Sequence, residues 1–230
     1  MQRMKTAAQS KQKPAGFARA LLALLLSLSL LAAADPVPPR SRAQALQALA
    51  HAEATVRRQA AGRLGEVGVM ADVPALLRAL RDDDELTRMR AEQSLWQIWG
   101  RSGDAQVDQL YQTGVGQMNS GELHKSIATF SRIIEIRPGF AEGWNKRATL
   151  YFLIGEYDKS LADCAQVIKR NPYHFGALAG YGQIYLRLED YALSLEYFRR
   201  ALELNPNMDG VRLEIRRIEQ LLEERRKNMI

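Results

Sequence analysis

The sequence predicts an all-α fold, a right-handed helical-repeat solenoid, from residues that recur at one fixed interval. Three prolines, Pro138, Pro172 and Pro206, stand 34 residues apart without a break. A small residue, a serine and a larger core residue recur at the same interval: Gly114, Ala148, Gly182; Ser126, Ser160, Ser194; Phe130, Cys164, Phe198. A fixed period of this length indicates stacked helical units. The apolar residues of segment 191–204 also have mostly helical spacing.

The residues inside each unit resemble the tetratricopeptide repeat (TPR). The middle unit carries the pattern most fully: Trp144, Ala148, Tyr151, Gly155, Tyr157, Ser160, Pro172. The three units span 106–139, 140–173 and 174–207. The resemblance implies a helix, a turn and a second helix in each unit, with the proline closing it. Residues 208–230 are expected to form a capping helix with a charged tail, whose apolar stripe covers the last exposed face of the array.

A second, shorter repeat precedes the TPR units. Val56, Ala60 and Leu64 are followed 31 residues later by Thr87, Ala91 and Leu95 in a similar phrase. Residues 43–100 resemble two HEAT-like units, each a short helix, a turn and a longer helix. Two such units bury little surface alone. We therefore expect them to stack on the first TPR helix, through the joint at 101–104, in one continuous helical body.

Trp96 and Trp99 lie one turn apart on the last HEAT-like helix. Large aromatic side chains are normally buried, so we expect this pair to fill the junction with the first TPR helix. An exposed pair that anchors a protein interface is the alternative.

The N-terminus has the layout of a secretory signal peptide at residues 1–34. Five basic residues and no acidic residue lie in 1–19, and an almost wholly apolar run follows from Ala20 to Ala34. Ala32 and Ala34 are small residues of the kind that a signal peptidase reads, so cleavage is predicted after Ala34. The run of 15 residues is shorter than the about 20 that a membrane span needs. An uncleaved membrane anchor is the alternative. Residues 35–42 are a proline-rich linker.

Net charge gives no reason to expect nucleic-acid binding. The chain has 32 basic and 26 acidic residues, but five of the basic residues lie in the predicted leader. The remainder has 27 basic and 26 acidic residues, a net charge of +1, which is no concentrated basic face.

Catalytic, cofactor and metal signatures are absent from the sequence. No H-E-x-x-H, G-x-S-x-G or Walker motif occurs, and the three histidines are scattered. The lone cysteine, Cys164, shares its repeat phase with two phenylalanines and is expected to be a buried core residue. The run from Asp82 to Glu85 lacks the alternating ligands of a calcium loop and fits the turn before a helix. We expect no enzyme activity, no cofactor and no metal.

The TPR resemblance implies a groove lined by the first helix of each unit. By repeat phase the candidate partner-binding residues are Tyr111, Gln112, Asn145, Lys146, Thr149, Gln183, Arg187. Amides there can pair with a peptide backbone, and the cations can hold a carboxylate. Val115, Ala179 and Phe152 share this face. Some TPR domains hold acidic chaperone tails through lysine and asparagine, but Tyr111, Val115, Ala179 and Gln183 stand at the matching positions here.

The resulting expectation is an exported, non-enzymatic scaffold that binds a protein or peptide of unknown identity, in a bacterial periplasm. One alternative is a membrane-anchored assembly scaffold that retains residues 1–34. Another is an accessory subunit of an enzyme, because HEAT-like repeats also occur in phycobilin lyases. No residue of this chain matches the chemistry of those lyases.

Overall fold

A computed structural model describes residues 38–228, which belong to one compact unit. This part of the chain contains eleven α-helices, one short 3-10 helix and no strand, so the all-α prediction is confirmed. No helix among these residues is long and apolar enough to cross a membrane. The predicted signal peptide and residues 35–37 of the linker lie outside the described residues.

The N-terminal segment, residues 42–99, contains two short helices that alternate with two longer ones. The helices are α1 (Arg42–Ala48), α2 (Ala54–Val67), α3 (Val73–Ala79), α4 (Glu85–Trp99), with the 3-10 helix Met70–Asp72 before α3. This is the predicted alternation of short and long helices, while the resemblance to HEAT repeats stays a prediction. The inner faces of the four helices share an apolar core.

The acidic run before α4 lies in a turn, as its sequence suggested. Asp84 is the N-cap residue of α4 and accepts a hydrogen bond of 2.8 Å from the backbone N–H of Thr87. Asp82 and Asp83 both accept from the guanidinium of Arg57 on α2. The hydrogen bonds from Arg57 hold the pKa of Asp82 down to about 2, against the opposing effect of burial. The acidic residues therefore cap one helix and tie it to another.

Residues 105–228 form the TPR array and its cap. The paired helices are α5 (Ala105–Asn119) with α6 (Leu123–Ile136), α7 (Ala141–Leu153) with α8 (Tyr157–Arg170), α9 (Phe175–Arg187) with α10 (Tyr191–Leu204), and the cap is α11 (Asp209–Asn228). Val211 and Ile218 of α11 are buried in one cluster with Leu195 and Phe198. The last helix thus covers the apolar face of the third unit.

Within each unit, small residues allow the two helices to pack closely. A Cβ atom on Gly114 would lie 2.8 Å from the ring of Phe130, and one on Gly182 would lie 2.4 Å from Phe198. Real Cβ atoms do not lie this close to other heavy atoms, so a larger residue would force the helices apart. In the middle unit Ala148 replaces the glycine, and the smaller Cys164 replaces the phenylalanine.

The recurring serines do more than fill a small space. Ser126, Ser160 and Ser194 are buried, and each hydroxyl donates a hydrogen bond of 2.7–2.8 Å to a backbone carbonyl of the partner helix. Ser94 makes the same bond to the carbonyl of Ala61 in the N-terminal segment. A buried bond of this kind contributes about 1 kcal/mol and fixes the relative position of two helices.

The turn between the helices of each TPR unit needs a left-handed residue. Gly121 and Gly155 have φ of 77° and 79°, and glycine adopts this conformation without steric cost. The equivalent residue of the third unit is Glu189, with φ of 57°. A non-glycine residue is strained there by about 1–2 kcal/mol.

The N-terminal segment packs against the third TPR unit, which corrects the expectation that it stacks on the first TPR helix. Phe175 is part of its core, and Leu204 and Met208 pack against that core. The side chain of Asn207 also donates a hydrogen bond of 2.8 Å to the backbone carbonyl of Leu80 and accepts one of 3.1 Å from Arg88. Trp96 and Trp99 provide the reason for this arrangement, because their partners lie at the start of α9.

Candidate functional site

By repeat phase, four rows of residues on the first helices occupy the face that is predicted to line the groove. Each row has one residue from each TPR unit. Steps of three or four residues along a helix keep the rows on one face. From the start of the helices to their ends, the rows are Asp108, Glu142, Gly176; Tyr111, Asn145, Ala179; Val115, Thr149, Gln183; Asn119, Leu153, Arg187. We call the first two rows the covered end and the last two the open end.

The side chains become more exposed from the first row to the last. Glu142 is buried and Tyr111 and Asn145 are half-buried, whereas Asn119, Leu153 and Arg187 are all exposed. Leu153 exposes 55% of its surface, which is high for a leucine. The cover over the first rows comes from the N-terminal segment.

Two tryptophans of α4 cover the start of α9. Trp99 stacks on His174 with ring centroids 4.7 Å apart and meets Phe175 edge-on at 5.0 Å. Trp96 meets Trp99 edge-on at 5.1 Å and lies over Gly176, where a Cβ atom would be 2.6 Å from its ring. Trp99 is buried and Trp96 half-buried. The prediction that the pair fills a junction is confirmed, but the partner is the third unit and not the first.

A buried carboxylate links all three TPR units below these rings. Oε1 of Glu142 lies 2.5 Å from Nε2 of His174, and both side chains are buried. Because Nδ1 of His174 accepts from the backbone N–H of Ala177, Nε2 carries the proton and donates to Glu142. The carboxylate also accepts from the amide of Asn145 at 3.1 Å and from the hydroxyl of Tyr111 at 3.4 Å.

The charge of Glu142 is stabilised by its neighbours. Burial alone would raise the pKa of Glu142, but His174, Lys146 and Asn145 more than offset burial, so its pKa lies below the usual value. The ammonium of Lys146 lies 3.9 Å from the carboxylate. Burial and the negative charge of Glu142 both raise the pKa of Tyr111, which therefore stays a neutral donor. The arrangement is a satisfied hydrogen-bond network that holds the units together.

The sequence-predicted site residues divide between the two ends. Tyr111, Asn145 and Lys146 lie at the covered end and contact Glu142. Gln112 is exposed and lines a shallow pocket with Trp96 and Arg101. The remaining candidates, Thr149, Gln183, Arg187, lie at the open end. The structure therefore leaves only part of the proposed set available to a partner.

Sequence reasoning missed three residues of this face: Glu142, Leu153 and His174. Glu142 and Leu153 could have been found by extending the inward rows by one step in each direction along the helix. His174 gave no such signal, because its role depends on Trp99, which is remote in sequence.

Two features of the described residues bear on metal binding and thiol chemistry. No group of three or more His, Cys, Asp or Glu among them could hold a metal ion. Cys164 is buried, and burial raises the pKa of its thiol to about 12. A thiol with this pKa stays protonated at neutral pH, so Cys164 has the character of a core residue.

Comparison with known proteins identifies the repeats. Residues 145–209 match the family model for the tetratricopeptide repeat. A TPR repeat-containing protein of Rhizobium etli is 32% identical over 130 residues, which cover 56% of this chain and 63% of that protein. The small glutamine-rich tetratricopeptide repeat-containing protein of Dictyostelium discoideum is 26% identical over 115 residues, covering 50% of this chain and 34% of that protein. The matched region thus spans less than two thirds of either relative.

Solved structures show the same fold. The Sgt2 TPR domain from Aspergillus fumigatus superposes with a TM-score of 0.51 at 21% identity, covering 54% of this chain and 83% of that domain. The first TPR domain of Spaghetti (RPAP3), bound to the HSP90 peptide SRMEEVD, superposes with a TM-score of 0.50 at 23% identity. The match covers 52% of this chain and 96% of that domain. Likeness at this level of identity establishes the helical-repeat fold alone.

Proposed function

We propose that this chain, which contains tetratricopeptide repeats, is a non-enzymatic scaffold that binds a protein or peptide at the open end of its groove. The observation that carries the proposal is the exposed row Asn119, Leu153 and Arg187, which continues into Thr149 and Gln183. An exposed leucine between polar and cationic groups offers an apolar contact together with hydrogen bonds, as a peptide requires.

The open end fits an extended ligand better than a compact small molecule. Its residues come from the first helices of three successive units, so an extended ligand can contact all three units. Amides of Asn119 and Gln183 can pair with a peptide backbone, and Arg187 can hold a carboxylate. The RPAP3 domain binds a peptide, and a peptide or protein is the ligand class that we propose here too.

The test uses variants at the open end only. Changing Asn145 or Lys146 would disturb the buried carboxylate of Glu142 and confuse binding with folding. The double variant Leu153→Asp/Arg187→Glu alters two exposed residues. A matched control, Leu213→Asp/Arg216→Glu, makes the same chemical changes at an exposed leucine and an exposed arginine of α11.

Proteins cross-linked to the wild type and to both variants of the full chain would be compared after circular dichroism has shown equal helicity. We expect at least one partner to be lost from the groove variant and kept by the control. Titration of that purified partner should then show affinity at least about tenfold weaker, because an exposed apolar and a charged contact are both removed. Equal capture by all three proteins would contradict the groove assignment.

We also propose that the scaffold is exported to a bacterial periplasm after cleavage behind Ala34. The basic, acid-free start and the apolar run in residues 1–34 support this proposal. N-terminal sequencing of the mature protein should begin at Asp35. Recovery of an intact Met1 in the membrane fraction would instead support the membrane-anchored scaffold.

The absence of enzyme activity is part of the same proposal. The buried thiol of Cys164 and the satisfied Glu142–His174 pair leave neither group free for nucleophilic attack or general-base catalysis on an exposed substrate. Turnover by the purified protein in hydrolase and transferase screens would contradict this statement.

A further inference from the structure

A cavity of about 300 Å³ lies between the N-terminal segment and the turns of the TPR array. It is separate from the groove rows, because its array side is built from the residues around two of the repeating prolines. Three arginines line it, Arg101 from the joint and Arg137 and Arg170 from the ends of α6 and α8. No Asp or Glu lines the cavity. Its polar character is therefore dominated by positive charge and hydrogen-bond donors.

The three arginines are not neutralised by neighbouring acids. In the described part of the chain, none of them forms an ion pair with a carboxylate. Arg101 donates to the backbone carbonyls of Gly65 and Gly68. Arg170 donates to the backbone carbonyl of Pro138 and to the backbone and side-chain oxygens of Gln166, and its guanidinium lies 4.6 Å from the centre of the Trp144 ring. These neutral acceptors and the Trp144 ring hold the two guanidinium groups in place without a carboxylate counter-charge.

A buried indole in the same cavity has no hydrogen-bond acceptor. Trp99 is 4% exposed, and its Nε1–H has no partner among the described residues. An indole N–H can only donate, and no group lining the cavity accepts from it, so a bound ligand could supply the acceptor. A buried donor left unpaired destabilises the folded chain. The amide nitrogen of Asn171, also in the lining, is unpaired as well.

Asn171 alone would not indicate a site. Asn205, at the same phase of the next unit, has an unpaired amide nitrogen too. The combination with Trp99 and three arginines distinguishes the cavity. The start of α7 adds to it: Phe140 and Ala141 line the cavity, and Phe140 caps this 13-residue helix without a side-chain hydrogen bond. Helix N-termini favour anions.

We propose that this cavity binds an oxyanion, the carboxylate or phosphate group of a small molecule, with one oxygen accepting from Nε1–H of Trp99. An oxyanion offers several acceptor lone pairs to the indole, the amide and the arginines at once. A water molecule would satisfy the indole but leave the three positive charges uncompensated. Ile98 and Phe140 supply an apolar wall, so the preferred ligand carries its anionic group on a compact apolar body.

A bound anion would also join the two parts of the molecule. Arg101 and Trp99 belong to the N-terminal segment and its joint, whereas Arg137 and Arg170 belong to the array. An oxyanion held by both sets would stabilise the covered end of the groove. The proposal does not depend on a partner at the open end, and the two can fail separately.

The test follows the indole resonance of Trp99 in the ¹⁵N-labelled full chain by NMR. The chain has three tryptophans, and a Trp99→Phe variant assigns the peak. Sodium phosphate and sodium acetate are titrated at constant ionic strength, with sodium chloride as the reference. We expect a saturable shift of the Trp99 peak with a Kd of about 1 mM or tighter for at least one oxyanion.

Two arginine variants make the outcome specific. Arg137 is exposed and donates no side-chain hydrogen bond among the described residues, so Arg137→Ala should fold normally while the oxyanion binds about tenfold more weakly or worse. Arg78→Ala removes an exposed arginine outside the cavity and should leave binding unchanged. A response to phosphate alone or to acetate alone supports the proposal and names the group. A shift no larger than with chloride, or equal affinity of the two variants, would overturn it.

Discussion

The two ends of the groove share one repeat pattern but have opposite environments. At the covered end, the rings of Trp96 and Trp99 lie against α9, and Glu142 is buried among hydrogen-bond donors. At the open end, Leu153 and Arg187 remain exposed although they stand on the same helices. The covered end combines a network between the repeats around Glu142 with the two tryptophans that the N-terminal segment packs on the start of α9.

This comparison separates structural polar residues from those available to a ligand. A lysine and an asparagine in a TPR groove suggest ligand binding when only the sequence is considered. Here Asn145 and Lys146 both contact Glu142 of their own helix, so their first role is to satisfy a buried charge. At the open end, Thr149 donates only to the backbone carbonyl of Asn145, and among the described residues no carboxylate pairs with Arg187.

The largest effect is expected from removing the ring that closes the covered end. Trp99→Ala should lower the free energy of unfolding by about 3–5 kcal/mol, because the buried ring packs on both His174 and Phe175. Urea unfolding followed by circular dichroism measures the change. Leu153→Ala at the open end is the control and should stay within about 0.5 kcal/mol of the wild type.

Trp99→Phe makes the comparison sharper. Phenylalanine keeps much of the packing and has no N–H to leave unpaired, so its loss of stability should be clearly smaller than that of alanine. Equal losses for Trp99→Ala and Leu153→Ala would mean that the tryptophan does not hold the covered end closed.

A smaller effect is expected from removing the buried charge. Glu142→Gln should cost about 1–3 kcal/mol at neutral pH, because the hydrogen bonds of His174 and Asn145 to a charged acceptor are weakened. The folded pKa of Glu142 lies below its ordinary value of 4.5. Its contribution to stability is therefore complete above pH 4.5 and is lost as the pH falls through the folded pKa.

Unfolding of the wild type and Glu142→Gln would be measured at a series of pH values. The difference between them should shrink as the pH falls below 4.5. Glu156→Gln is the matched control, because that carboxylate is exposed and pairs only with Lys159. A Glu142→Gln difference that is independent of pH would show that the carboxylate charge does not stabilise the fold.

The smallest effect concerns the turn beside the open end. Glu189→Gly should raise the free energy of unfolding by about 1 kcal/mol, because glycine relieves the strain of a positive φ. The lost contact with Arg225 is an exposed pair at 3.6 Å and contributes little. Thermal and urea unfolding check the change.

The reverse change, Gly155→Glu, introduces the same strain into the middle unit. No atom lies within 4 Å of a Cβ placed there, so the expected loss reflects the backbone alone. If Glu189→Gly and Gly155→Glu changed the free energy of unfolding in the same direction, the left-handed backbone would not explain the effect of either variant.

Repeat phase predicted the contacts inside the TPR units well. Gly182 and Phe198 each recur at the 34-residue interval, and the structure brings the two residues into contact. The sequence showed only that the serines recur at this interval, whereas in the structure their hydroxyls donate to carbonyls of the partner helix. Contacts between the N-terminal segment and the array were not predictable, because Trp99 and His174 follow no shared period.

The sequence by itself determined the all-α fold and its tetratricopeptide repeats, and it predicted which face of the first helices lines the groove. These features depend on local spacing, since helical periodicity and close helix packing are encoded within a few turns of chain. Only the tertiary structure decided that one end of the groove is covered and that Tyr111, Asn145 and Lys146 contact the buried carboxylate of Glu142. Burial and pairing of a polar side chain depend on what packs over it, and here that cover comes from a distant part of the chain.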